Sequence, residues 1–152
     1  MYSEDFIRRY YVKDTQNCKD AIDYFNAHPD ESREGHVANP QGGGIKIDKK
    51  AKDSTEISWT IDQAYQNCPA VGNILDDVWT GIQEYIKEFD ILNYTAFGGH
   101  WLNFQKFEPN QGFHTWHYES MSYDISNRCI VFMVYMNTLT DKGNTEFKYY
   151  KH

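Results

Sequence analysis

The sequence contains no apolar run long enough to cross a bilayer, so no membrane partner is expected. It also lacks a cysteine framework. Its three cysteines, Cys18, Cys68 and Cys129, are odd in number and far apart, forming neither a Cys-x-x-Cys metal motif nor a disulfide set. That usage fits a reducing, cytoplasmic setting. The first residues, Met1-Tyr-Ser-Glu-Asp-Phe6, have neither a basic region nor an apolar core, so no secretory leader is expected. Positive charge is in deficit: the formal net charge is −7, which removes a cationic face as a bulk property and argues against a nucleic-acid partner. The glycine run Gly42-Gly-Gly44 is not followed by Gly-Lys-Ser/Thr, so it reads as a loop rather than a phosphate cradle. There is no internal repeat and no low-complexity tract.

What is present describes a globular chain. Its 152 residues suit one domain with a sizeable core. A hydrophobic fraction of 40% and an aromatic fraction of 16% exclude a disordered chain, and 12 Tyr with 9 Phe favour β-structure. Phe6 to Val12 alternates weakly and reads as a short strand. Asp14 or Thr15 can cap a helix whose stripe is Cys18, Ala21, Ile22 and Phe25, ended by Pro29. A loop follows to Gly44, then an alternating Ile45-Lys-Ile-Asp48. Lys52-Asp-Ser-Thr-Glu-Ile-Ser-Trp59 reads as a solvated turn and strand. A second helix is expected from about Pro69 to Phe89, with Val71, Ile74, Leu75, Val78, Ile82, Ile86 and Phe89 at helical spacing.

From Trp101 the period falls to two. Strands are expected at Trp101 to Phe107, Phe113 to Glu119, Cys129 to Met136 and Thr145 to Tyr150, with a turn at Pro109-Asn-Gln-Gly112. Helices followed by strands imply an α+β fold: a helix-backed double-stranded β-helix, or jelly roll, with an incomplete barrel. The chain is read as one domain, 1–152, with an N-terminal α/β part at 1–97 and a jelly-roll part at 98–152.

On an extended strand His117 and Glu119 project to one face, with Tyr118 turned away. An imidazole and a carboxylate side by side are two ligands of a mononuclear metal site. Two His and one carboxylate on one face hold Fe(II) in non-haem oxygenases. His114, at an odd separation from His117, falls on the opposite face and reads as surface or supporting. Trp116 and Tyr118 read as packing.

Three pieces occur in order: Phe107-Glu-Pro-Asn-Gln-Gly-Phe-His-Thr-Trp-His-Tyr-Glu119, Arg128-Cys-Ile-Val-Phe-Met-Val-Tyr-Met-Asn137 and Gly143-Asn-Thr-Glu-Phe147. Together they resemble the 2-oxoglutarate/Fe(II)-dependent dioxygenases of the prolyl-4-hydroxylase type, closely over the last third of the chain and loosely before it. In relatives a Lys-Asp-Ser segment like that at Lys52 precedes a long helix. The resemblance implies His117 and Glu119 as catalytic metal ligands and Tyr135 as the phenol that donates to the cosubstrate. It further implies Fe(II) and 2-oxoglutarate, with ascorbate as an auxiliary reductant. 2-Oxoglutarate and O₂ would yield succinate, CO₂ and a hydroxylated amino-acid or peptide side chain.

Two departures qualify that expectation. Phe107 stands where many relatives have a second cosubstrate tyrosine, and has no hydroxyl to give. The aromatic that relatives often carry at or beside the position of His114 is kept here, as Phe113. The family's second metal His, and the basic residue for the far carboxylate of 2-oxoglutarate, lie beyond the Gly143 strand and are not found before His152. Arg128 is not that basic residue and reads as a structural ion-pair partner. The expectation is therefore a C-terminally truncated domain, inactive as it stands, with His152 a weak substitute for the third ligand. Two other readings stay open: a cupin-like metal-binding or non-catalytic jelly-roll module, and a chain that self-associates through open strand edges.

Overall fold

A computed structural model describes residues 6–39, 43–120, 125–140 and 143–148. In chain order it contains α1 (Gln16–Ala27), β1 (Arg33–Glu34), β2 (Val37–Ala38), β3 (Ile45–Lys46), β4 (Lys52–Asp53), β5 (Thr55–Thr60), α2 (Ile61–Asn67), α3 (Pro69–Glu88), β6 (Trp101–Lys106) and β7 (Gly112–Phe113). The architecture is mixed α+β. Among the described residues the strands form three small sheets, β1-β5-β6, β2-β3 and β4-β7, and none closes into a barrel. No described helix is long and apolar enough to cross a membrane. Two compact units emerge: Met1–Ala27 with Trp59–Leu102, and His28–Ser58 with Asn103–His152.

The first unit is built on helical apolar stripes. Asp14 starts α1, its carboxylate accepting the Gln16 N–H at 2.9 Å. Cys18, Ala21 and Phe25 are buried, and Ile22 is half-buried. Burial pushes the Cys18 thiol up, which keeps it protonated and inert. Thr60 closes a capping box at the start of α2: its hydroxyl accepts the Gln63 N–H, and the Gln63 side chain accepts the Thr60 N–H. This short helix was not foreseen. α3 matches the expected second helix and packs on both α1 and α2. Its stripe is buried over Val71, Ile74 and Leu75, and only half-buried at Val78, Ile82 and Ile86. Gly72 lets α3 approach Tyr65, whose ring carbon would lie 2.8 Å from an added Cβ. The Tyr65 hydroxyl donates to Asp76 at 2.7 Å, and burial with that carboxylate pushes its pKa up to about 12. Residues 6–12, expected as a strand, pair with nothing as a ladder. They are held instead by side chains: Arg8 clamps Glu88 and covers the Phe89 ring, while Tyr85 donates to the Phe6 carbonyl at 2.8 Å.

The second unit is built on strand pairs. β1 and β5 run antiparallel, Arg33 opposite Glu56. β2 and β3 form a hairpin closed by Gly43 and Gly44, both at positive φ, so part of the glycine run makes a turn that side chains would strain. β4 pairs antiparallel with β7, Lys52 opposite Phe113. The expected turn after β6 is present: Gln111 N–H meets the Glu108 carbonyl at 2.9 Å, with Asn110 at φ 72°.

Three strand expectations fail here, in whole or in part, among the described residues. The strand read over Phe113 to Glu119 ends at Phe113, and residues 129–136 form no ladder among the described residues. Period two alone does not make a strand: its N–H and C=O groups need a neighbour, and its apolar side a face to cover. Here Val131, Met133 and Tyr135 are all more than half exposed. The described part of the last expected strand, 145–148, likewise has no ladder; its end and His152 lie outside the described residues.

Candidate functional site

His117 and Glu119 come together, although the strand expected to align them ends at Phe113 and no sheet partner holds them among the described residues. Nε2 of His117 stands 3.5 Å from Oε1 of Glu119. Nδ1 lies 3.0 Å from the Thr115 carbonyl. A carbonyl only accepts, so Nδ1 carries the proton in this contact. The 3.5 Å contact is an ion pair if the imidazole is protonated; if the ring is neutral, it sets an Nε2 lone pair beside a carboxylate oxygen, where a cation between the two would satisfy both. Two ligands about 2.1 Å from one ion lie about 3.0 Å apart at a right angle and about 3.4 Å at the tetrahedral angle. The observed separation is close to the second value.

Neighbours fix both members. The Phe113 ring stacks on the imidazole, with centroids 3.9 Å apart and planes 15° apart. Arg128 Nη1 holds the other carboxylate oxygen of Glu119 at 3.2 Å, the structural ion pair expected of it. A metal-binding His with its second nitrogen on a carbonyl, and a ligating carboxylate held by a hydrogen bond, is the usual supporting arrangement. Both side chains remain partly exposed, so an ion could reach them.

The remaining predicted residues do not join the pair. Tyr135 is 62% exposed, and its phenol hydrogen-bonds Thr145. His114 is exposed, and its backbone N–H donates to the Ala51 carbonyl at 2.7 Å. Trp116 and Tyr118, read as packing, are both more than half exposed. Phe107 is exposed as well. Among the described residues no group of three or more His, Cys, Asp or Glu could hold a metal ion. Among the described residues no third His, Cys, Asp or Glu joins His117 and Glu119.

Sequence reading missed a second cluster. Lys52, Ser54 and Glu56, at alternate positions, are 3%, 4% and 2% exposed. The segment is a strand, as expected, but it is not solvated. Lys52 Nζ meets Glu56 Oε2 at 2.6 Å. His36 Nδ1 lies 3.5 Å from Glu56 Oε1, Arg33 Nε 4.0 Å from the same oxygen, and Gln105 Nε2 3.5 Å from Oε2. Ser54 Oγ has no hydrogen-bond partner among the described residues. Gly35 lies against it so closely that a Cβ there would collide with the hydroxyl. The signal was available: Lys, Ser and Glu at i, i+2 and i+4 beside Ile57 and Trp59 on the opposite face mark a strand covered on both sides. Charge at those positions masked it.

Compared with models of protein families, with curated proteins and with solved structures, the chain matches none.

Proposed function

We propose that the chain is the metal-ligand-bearing part of a 2-oxoglutarate/Fe(II)-dependent dioxygenase, built toward a jelly roll and acting on an amino-acid or peptide side chain. One observation carries the metal-binding half of this reading: His117 Nε2 faces Glu119 Oε1 at 3.5 Å, each side chain fixed from its far end by Thr115 or Arg128. The ordered motifs from Phe107 to Phe147 favour iron and 2-oxoglutarate over other occupants of such a pair.

His117 and Glu119 would hold the ion. When bound, Fe(II) with 2-oxoglutarate and O₂ supplies the oxidation of a C–H bond, with succinate and CO₂ as co-products. The chain's own part is to keep the His117 Nε2 and the Glu119 carboxylate aimed at one point, with Arg128 holding the far carboxylate oxygen in place. Tyr135 is assigned to the cosubstrate by its place in Tyr-Met-Asn137. In the described unit it faces outward, so that assignment rests on the motif alone.

The test is metal binding with and without cosubstrate. Mn(II) should bind weakly, because two protein ligands leave most of the coordination sphere to water, and 2-oxoglutarate should tighten it. His117→Ala should abolish both effects. Equal Mn(II) affinity in the altered and unaltered chains overturns the assignment, and Zn(II) binding indifferent to 2-oxoglutarate favours the non-oxidative cupin-like module. Turnover of 2-oxoglutarate by the 152-residue chain is expected to be negligible.

A further inference from the structure

The buried polar face and the metal pair meet through one aromatic ring. β4 is paired with β7, and Lys52 stands opposite Phe113. Lys52 Nζ, held by Glu56 at 2.6 Å, lies 5.7 Å from the centroid of the Phe113 ring. The same ring stacks on the His117 imidazole at 3.9 Å. A cation within about 6 Å of an aromatic face is attracted to it, more strongly where water is excluded. Two apolar side chains would fill the space of Lys52 and Glu56 without desolvating two charges. The buried charge therefore calls for a role, and the π-system it meets is Phe113. The final torsion of a histidine is broad, so its ring plane is set by its neighbours rather than by the chain.

We propose that Lys52 is a positioning residue for His117, its ammonium holding the Phe113 ring so that the ring fixes the plane in which Nε2 is presented to a metal ion. Glu56 in turn fixes the ammonium. Ion-pair anchor, aromatic spacer and ligand form one line of contact within a single unit. The metal half of the proposal rests on the function proposed above; the ring half does not.

The experiment reads both halves on the 152-residue chain. Proton NMR follows the upfield displacement of the His117 ring protons caused by the Phe113 ring current. A Co(II) titration, followed by visible absorption, gives affinity. Phe113→Leu should erase the displacement and calibrates it. Lys52→Met combined with Glu56→Leu leaves no carboxylate buried alone. It should at least halve the displacement and weaken Co(II) binding about tenfold, as loss of a group supporting a metal ligand commonly does. Lys52→Arg, which keeps the cation, should retain both. If the double variant does not fold, Lys52→Gln keeps a hydrogen bond to Glu56 without the charge and should behave as the double variant would. An unchanged displacement in the folded charge-free variant overturns the proposal. So does a lost displacement with unchanged Co(II) affinity. An unaltered chain that binds no Co(II) sinks the metal reading alone, because the displacement still decides whether Lys52 sets the imidazole.

Discussion

The two units bury different chemistry. The first buries Cys18, Ala21, Phe25, Val71, Ile74 and Leu75, an apolar stripe from each of two helices. The second buries Ile57 and Phe104 together with Lys52, Ser54 and Glu56, while Phe113, Trp116, Val131, Met133 and Tyr135 stay exposed. Apolar burial is non-directional and tolerates small shifts in geometry. A buried ion pair works only when each charge keeps its partner. The first unit should therefore degrade gradually on substitution, and the second abruptly at a few positions.

The largest expected effect is at Lys52. Lys52→Met leaves Glu56, itself 2% exposed, without its closest cation. Breaking such a pair from one side should cost about 3–5 kcal/mol, whereas the double replacement with Glu56→Leu should be near neutral or stabilising by about 1–4 kcal/mol. Urea unfolding of the three chains measures both, and hydrogen exchange should show protection falling first around residues 52–58. A single variant no worse than the double would mean that His36, Arg33 and Gln105 suffice to hold the carboxylate.

Ile74 is the matching probe of the first unit. It is 2% exposed on α3, so Ile74→Ala should cost about 2–5 kcal/mol, more toward the upper end if the cavity cannot collapse. A conservative Ile74→Val should cost about 0.5–1.5 kcal/mol. That graded response has no counterpart at Lys52, and thermal unfolding of the pair of variants checks the contrast.

Smaller again is the cap of α2. Thr60→Ala removes the acceptor for the Gln63 N–H and half of a reciprocal pair, at about 1 kcal/mol. A loss well above that would mean that the Thr60 hydroxyl has a further duty.

The contrast also explains what could be read in advance. Helical periodicity located α1 and α3 because Cys18, Ala21, Phe25 and Val71, Ile74, Leu75 are apolar where a helix turns inward. The capping box at Thr60 and Gln63 was written in the chain but lay between the strand read to Trp59 and the helix read from Pro69, where no element was assigned. His117 and Glu119 do meet, but not on the strand their i, i+2 spacing implied: β7 ends at Phe113 and Glu119 lies in a turn. The absence of a strand at 129–136 was not legible, because a ladder depends on partners that no local pattern encodes. The stacked Phe113, and the Lys52 ammonium beside it, depend on β4 meeting β7 across some sixty residues of chain, and no short motif reports that.

The smallest prediction has the opposite sign and probes the polar face itself. Ser54 lies between Lys52 and Glu56 in sequence, is 4% exposed, and its Oγ has no partner among the described residues. A buried hydroxyl without a hydrogen bond is a net cost to folding. Ser54→Ala removes that cost. It should be neutral or stabilise by up to about 1 kcal/mol, read as a small upward shift of the urea midpoint. Destabilisation by about 1 kcal/mol or more would show that Oγ is hydrogen-bonded in solution. The Lys52–Glu56 face would then be a connected polar network, and Ser54 a third member of the anchor on which the Phe113 and His117 stack depends.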